Sequence, residues 1–154
     1  MTTRNKTLLA MGMLILAIVV ISTTYFKPNN SFQPVELGGQ FQGKSIAGDV
    51  SLSDFKGKLV LLYFGYTSCP DICPTSLTSM KFAFNELTSD QLAQIQPIFY
   101  SVDPDRDSLE QLQVYSNFFS PLILGITGSR DQIDSAIKQY GAYYRMVEQP
   151  DSAM

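Results

Sequence analysis

The stretch GKLVLLYFGYTSCPDICPTSL, residues 57–77, joins an apolar run to a loop that contains both cysteines of the chain. Short apolar runs of this kind are typical of strands buried on both faces of a sheet. IFYSV (98–102) and LILGI (122–126) have the same character. After each run the apolar residues adopt helical spacing, at Leu77, Met80, Phe84 and Leu87, at Leu109, Leu112 and Phe119, and at Ile133, Ala136, Ile137 and Tyr140. This alternation predicts an α/β fold with a parallel sheet, and we interpret the spaced positions as core.

The N-terminus carries an uncharged, mostly apolar run over residues 7–26, preceded by Arg4 and Lys6. Twenty such residues are enough for a membrane-spanning helix, and the basic flank predicts a cytoplasmic N-terminus. A cleaved signal peptide is the alternative, although no A-x-A site follows the run. We therefore expect a cytoplasmic tail (1–6), a transmembrane anchor (7–26), a linker (27–40) and one domain (41–154).

The part of the chain beyond residue 27 contains all fourteen acidic residues and eight of the eleven basic ones, which gives it a net charge of −6. A surface of this charge disfavours nucleic acid as a partner. The predicted topology places this part on the exported side of the membrane.

Cys69 and Cys73 lie between the first predicted strand and the first predicted helix, and each is followed by a proline. Because a residue before proline is disfavoured in the α region, we expect both cysteines to be extended, with Pro74 at the first helical position. Cys73 then becomes the N-cap. The positive end of the helix should lower the pKa of the Cys73 thiol.

Cysteines at this spacing raise three possible kinds of site, namely a disulfide, a zinc site and a copper site. A structural disulfide would close a ring of only about five residues, which stabilises a fold weakly, whereas a reversible disulfide is plausible. A closed zinc site is excluded because the chain has two cysteines and no histidine. Two thiolates suit a soft ion of low coordination number, above all Cu(I).

The same residues resemble the SCO/SenC copper-binding proteins of the thioredoxin-like superfamily, which help assemble the copper site of cytochrome c oxidase. The resemblance is carried by residues 57–77, by SVDPDRDS (101–108) and by GGQF (38–41). It implies a thioredoxin-like sheet with flanking helices and bound copper. It also implies that Cys69 and Cys73 are the copper ligands, with Asp71 between them.

The chain departs from this family at its C-terminus. The family's third copper ligand is a histidine that follows a stretch resembling YGAYYRMVEQP (140–150), and this sequence contains no histidine. We expect a truncated product or fragment that lacks the C-terminal hairpin and helix, with Cu(II) binding most affected. Met146 and Met154 could offer thioether sulfur to Cu(I), but such residues are more often packing or a disordered end.

The acidic loop DPDRDS contains Asp103, Asp105 and Asp107. It is not an EF-hand, because Ser108 replaces the required glycine and Val114 the final glutamate. We expect Asp107 to cap the following helix, Asp105 to be solvated, and Asp103 to approach the cysteine loop. Tyr66 is expected only to cover the end of the sheet.

Two functions remain open. In the first, the protein is a copper metallochaperone of the bacterial inner membrane, with its domain in the periplasm and the copper-site subunit of cytochrome c oxidase as its partner. In the second, it is a thiol:disulfide oxidoreductase in which Cys69 and Cys73 are catalytic and keep a partner's cysteines reduced. A copper donor or a thiol-disulfide protein is a further expected partner. The three-residue spacer between the cysteines favours the chaperone.

Overall fold

The computed structural model describes residues 3–25 and 37–145. The chain divides into two units, Met1–Val35 and Glu36–Met154. The first contains helix α1 (Thr3–Tyr25), whose side chains at 11–22 are exposed. Among the described residues, no helix combines the length and apolar character needed to cross a membrane. The span predicted for residues 7–26 is therefore not confirmed.

The second unit contains five strands, four α-helices and one 3-10 helix within its described residues. Strands β1 (Gln42–Ser45) and β2 (Gly48–Ser51) form an antiparallel hairpin, which a short 3-10 helix (Leu52–Phe55) follows. The remaining elements are β3 (Leu59–Gly65), α2 (Ile72–Asn85), α3 (Ser89–Ala93), β4 (Ile95–Ser101), α4 (Leu109–Phe119), β5 (Leu124–Ile126) and α5 (Arg130–Gln139). The strands and helices predicted from the apolar runs are all present, whereas the hairpin and α3 were not predicted.

The main sheet has the order β3-β4-β5, and both pairings are parallel. The predicted α/β class with a parallel sheet is thus confirmed. Gly65 at the end of β3 is in register with Ser101 at the end of β4. This register brings the cysteine loop and the acidic loop to the same edge of the sheet, because each loop follows one of these strands.

Helices cover the two faces of this sheet and form two cores. Side chains alternate between faces along a strand, so Phe99 of β4 packs with α2 and α4, while Ile98 and Tyr100 pack with α5. The first core consists of Leu77, Phe84, Phe99, Leu112, Phe119 and Ile123, all buried. Helix α2, which begins beside the cysteine loop, is thereby fixed against the sheet.

Strand β3 is less buried than its apolar sequence predicts. Leu59 is 71% exposed and Leu61 is 41% exposed, whereas Ile98, Phe99 and Tyr100 of β4 are buried. Strand β4 has a neighbour on each side, but β3 pairs only with β4 within residues 37–145. The position of a strand in the sheet, which its own sequence does not specify, explains the difference.

The prediction of a missing C-terminal hairpin and helix stays a prediction. Helix α5 ends at Gln139, and no strand or helix follows it in residues 140–145. Met146 and Met154 lie outside the described residues.

The packing of α4 on the sheet predicts unequal effects of two truncations. Leu112→Ala removes a side chain that is 0% exposed, and we expect it to lower the free energy of unfolding by about 3 kcal/mol. Val114→Ala, at a side chain that is 71% exposed on the same helix, should change it by less than about 0.5 kcal/mol. Urea unfolding followed by circular dichroism measures both. Equal effects would contradict the assignment of Leu112 to the core.

Candidate functional site

Helix α2 begins earlier than the sequence predicts, at Ile72 rather than Pro74. Its N-cap is Asp71, and the first helical hydrogen bond runs from the Thr75 N–H to the Asp71 carbonyl, at 3.1 Å. Pro74 therefore occupies the third helical position, where its missing N–H leaves no bond unmade. The prediction that Cys73 is the extended N-cap is wrong, since Cys73 lies inside the first turn.

This helix start brings the two cysteines together. The N–H of Cys73 is one of the first-turn donors that have no partner inside a helix, and it donates to the Sγ of Cys69 at 3.4 Å. Both residues are free thiols, with Cys69 8% exposed and Cys73 3% exposed. The loop thus forms a compact dithiol, with Cys69 slightly nearer the solvent.

The pKa values of the two thiols move in opposite directions, contrary to the expected lowering at Cys73. Burial opposes ionisation of Cys69, but hydrogen bonds from the N–H groups of Cys73 and Asp71 and from the Cys73 thiol outweigh it and lower the pKa of Cys69. Burial raises the pKa of Cys73, and its hydrogen bond to Cys69 raises it further. The N-terminus of α2 therefore stabilises a thiolate on Cys69, because its backbone N–H groups donate to that sulfur.

Three tyrosines surround the dithiol. Burial raises the pKa of Tyr63, whose phenol interacts with Cys73, and that of Tyr66, whose phenol interacts with Cys69. Burial, with the charge of Cys73 as the next cause, raises the pKa of Tyr115 to about 12. The Tyr115 hydroxyl is buried and has no hydrogen-bond partner within the described residues. Tyr66 thus does more than cover the end of the sheet.

Sequence reasoning missed Tyr63 and Tyr115 for different reasons. The alternation of side chains along β3 puts Tyr63 on the same face as Gly65, next to the cysteine loop, so it could have been found. Tyr115 comes from α4, more than forty positions later in the chain, and no local pattern indicates it.

Gly65 makes room for the buried cysteine. A Cβ atom at this position would lie 2.9 Å from the Sγ of Cys73 and 2.8 Å from the ring of Phe99. A side chain here would therefore displace either the sulfur or the core ring beneath it.

Asp107 connects the acidic loop to the cysteine loop. It is 1% exposed, and its carboxylate accepts hydrogen bonds from the N–H and Oγ1 of Thr67, at 3.0 and 2.5 Å, and from Oγ of Ser101, at 2.5 Å. The expected capping role is wrong, because Ser108 is the N-cap of α4 and forms a capping box with Gln111. Asp107, rather than Asp103, reaches the cysteine loop.

Asp103 and Asp105 each pair with an arginine. Asp103 is 1% exposed and accepts from Nε of Arg106, and Arg106 lies 6.0 Å from the centre of the Tyr66 ring. Asp105 is 76% exposed and pairs with Arg130 at 2.6 Å, as expected of a solvated residue.

The donor atoms at the site are those of a dithiol. No cluster of three or more histidine, cysteine, aspartate or glutamate side chains suited to a metal exists among the described residues. Asp71 is exposed, and its Oδ1 accepts a hydrogen bond from Thr75 at 3.4 Å. Two sulfur donors that belong to no larger cluster of histidine, cysteine, aspartate or glutamate among the described residues fit a soft, low-coordinate ion.

Comparison of the sequence with known families identifies the family of this chain. The profile of the SCO1/SenC family matches residues 29–154. The chain belongs to the SCO1/SenC family. It is 39% identical over 117 residues to the mitochondrial protein SCO2 of Saccharomyces cerevisiae, covering 75% of this chain and 39% of that protein. It is also 39% identical over 118 residues to an SCO2-like protein of Rickettsia felis, covering 76% of this chain and 57% of that protein. The chain thus spans about two fifths to three fifths of these two relatives.

Solved structures support the family and the fold. A crystal structure of ScoI from Arabidopsis thaliana with copper bound matches with a TM-score of 0.69 and 38% identity, over 75% of this chain and 73% of that one. The thioredoxin domain of a thiol-disulfide oxidoreductase from Bacteroides vulgatus matches with a TM-score of 0.55 and 21% identity, over 71% and 74% of the two chains. The second likeness concerns the fold alone, and it confirms the predicted thioredoxin-like architecture.

The opposite pKa directions predict that Cys69 ionises first. As pH rises, Cys69 should become reactive at a lower pH than Cys73, because its thiolate accepts the hydrogen bonds of the helix start. Brief labelling of the reduced protein with iodoacetamide across a pH series, followed by peptide mass spectrometry, measures each site separately. Labelling of Cys73 at the lower pH would contradict the assignment.

The contacts of Asp107 predict that it holds the cysteine loop in place. Asp107→Asn keeps the shape but removes the charge on which three hydrogen bonds converge. We expect the free energy of unfolding to fall by about 2 kcal/mol. The matched control Asp105→Asn, in an exposed ion pair of the same loop, should cost less than about 1 kcal/mol. Chemical denaturation measures both, and equal losses would exclude this role.

Proposed function

We propose that this protein binds copper through Cys69 and Cys73 and delivers it to thiolates of the copper-site subunit of cytochrome c oxidase. The observation that carries the proposal is the convergence of two thiols on one loop at the carboxyl end of β3. Membership of the SCO1/SenC family and the copper-bound Arabidopsis relative support it. Copper is the cargo of this reaction rather than a resident cofactor.

The donor set favours Cu(I) for this chain. Cu(I) accepts two thiolates alone, whereas Cu(II) prefers nitrogen and oxygen ligands in a tetragonal arrangement. The 154 residues contain no histidine, and among the described residues no third cysteine, aspartate or glutamate joins the dithiol in a cluster that could hold a metal. We therefore expect this chain to hold Cu(I) and to bind Cu(II) weakly or be oxidised by it.

Delivery follows from the unequal burial of the two sulfurs. A partner thiolate reaches Cu(I) from the side of Cys69, because Cys73 is the more deeply buried of the two and lies beside Gly65. Each new bond between copper and a partner sulfur replaces one bond to Cys69 or Cys73. The oxidation state of copper does not change in such an exchange.

A thiol:disulfide oxidoreductase is the second candidate, and the lowered pKa of Cys69 favours it. The Cys69 thiolate would attack a partner disulfide and release one partner thiolate, and Cys73 would then resolve the mixed disulfide. The product would be a reduced partner and a Cys69–Cys73 disulfide. This chemistry requires the same two residues but no copper.

We also propose that the domain is exported and attached to the membrane, with residues 7–26 as a single-pass anchor in the bacterial inner membrane. The uncharged run and the preceding Arg4 and Lys6 support this placement. In spheroplasts, added protease should digest the domain, and the domain should sediment with membranes before digestion. A soluble exported product that begins near residue 27 would show a cleaved signal instead.

The proposal predicts one Cu(I) for each reduced 154-residue protein, bound in competition with a chromophoric Cu(I) chelator. Cys69→Ser and Cys73→Ser should each abolish this binding, because one thiolate cannot complete the two-coordinate site. Ser68→Ala, at an exposed neighbour of Cys69, should leave the affinity unchanged.

Two results would contradict the proposed metallochaperone function. If the double Cys→Ser protein retains the Cu(I) affinity, copper is bound elsewhere. If the unmodified protein binds no copper but reduces a test disulfide catalytically, the oxidoreductase takes its place.

A further inference from the structure

The acidic loop carries an exposed cation, Arg106, that the proposed function does not use. Arg106 is 59% exposed, and its Nε donates to the carboxylate of Asp103, which is 1% exposed. A second contact ties the same turn, since the N–H of Arg106 donates to the Asp103 carbonyl at 3.3 Å. A buried carboxylate therefore holds the base of an exposed guanidinium in place.

Tyr66 links this guanidinium to the reactive sulfur. Arg106 lies 6.0 Å from the centre of the Tyr66 ring, within reach of a cation–π contact. Tyr66 belongs to the same loop as Cys69, and its carbonyl accepts a hydrogen bond from the Cys69 N–H at 3.3 Å. The cation thus lies against a residue that is hydrogen-bonded to Cys69.

The remaining donors of Arg106 are open to a ligand. Only Nε is occupied by Asp103, and within the described residues the two terminal nitrogens have no carboxylate partner. A guanidinium binds a carboxylate well because its donors match the two oxygens. The chain as a whole carries a net charge of −3, so an anionic partner is attracted locally at Arg106 and repelled by the rest of the surface.

We propose that Arg106 is a docking cation for a carboxylate that lies beside the acceptor thiols of the partner protein. Held by Asp103 and Tyr66, it orients an incoming acidic polypeptide so that its sulfur meets Cys69. Asp71 is exposed between the two cysteines, and its negative charge opposes the attraction of an anionic partner to Arg106. The inference rests on the proposed function, because it names the group that the partner presents at the same dithiol.

Alkylation of Cys69 in the copper-free protein tests the electrostatic effect of Arg106 independently of metal binding. The rate ratio of anionic iodoacetate to neutral iodoacetamide at Cys69 reports the local charge, since a change in thiolate fraction affects both reagents equally. Arg106→Gln should lower the ratio by about two- to fivefold at low ionic strength. Arg106→Lys should largely preserve it, and Asp71→Asn should raise it.

Two further variants keep this test decisive. Asp103→Asn/Arg106→Gln removes the buried carboxylate together with its partner and leaves the net charge unchanged, so it should lower the ratio less than Arg106→Gln does. Lys81→Gln removes the same charge about 12 Å along α2 from Cys73, and it should leave the ratio unchanged. An unchanged ratio in Arg106→Gln, or an equal fall with Lys81→Gln, would overturn the proposal.

A pair of peptides tests the carboxylate itself. Two oxidised peptides, each with one internal disulfide, one with Glu and one with Gln next to a cysteine, are mixed with the reduced protein. Attack by Cys69 breaks the peptide disulfide, forms a mixed disulfide and releases one peptide thiolate. The Glu peptide should react about two- to fivefold faster, and only while Arg106 is present. Equal rates for both peptides would exclude a carboxylate-docking role.

Discussion

The site depends on one hydrogen bond, from the N–H of Cys73 to the sulfur of Cys69. A helix always begins with backbone donors that have no partner inside the helix. In this protein the first turn of α2 starts within the cysteine loop, and one of these donors reaches a sulfur four residues earlier. The same bond brings the two thiols together and stabilises a negative charge on Cys69 rather than on Cys73.

A second constraint holds the loop from below. Three hydrogen bonds converge on the buried carboxylate of Asp107, two of them from Thr67 and one from Ser101. Because β3 and β4 end in register, the loops that follow them meet at one edge of the sheet. Parallel sheets commonly position functional residues at this edge, and in this protein the arrangement joins the cysteine loop to the acidic loop.

The sequence indicated the fold well and the site in part. The three apolar runs and the helical stripes correspond to β3, β4, β5 and to α2, α4 and α5, since burial on a strand or a helix leaves a regular spacing. The partial exposure of β3 was not predictable, because it depends on which strands are its neighbours.

At the site, the closeness of Cys69 and Cys73 follows from their spacing, but the order of their pKa values does not. A shift of two residues in the start of α2 exchanges the roles of the two thiols. Asp107 was misassigned for another reason. Its main partner, Thr67, is forty residues away in sequence, and a local capping pattern explained the same aspartate.

The central proposal is that the sulfur atoms of Cys69 and Cys73 hold the cargo ion. X-ray absorption spectroscopy of the Cu(I)-loaded 154-residue protein tests it most directly, because the number and kind of atoms bound to copper are read from the metal itself. This proposal predicts a first coordination shell of two sulfur atoms, with the low-energy edge feature of two-coordinate Cu(I). A shell dominated by nitrogen or oxygen, or an unchanged spectrum in the Cys73→Ser protein, would contradict the claim.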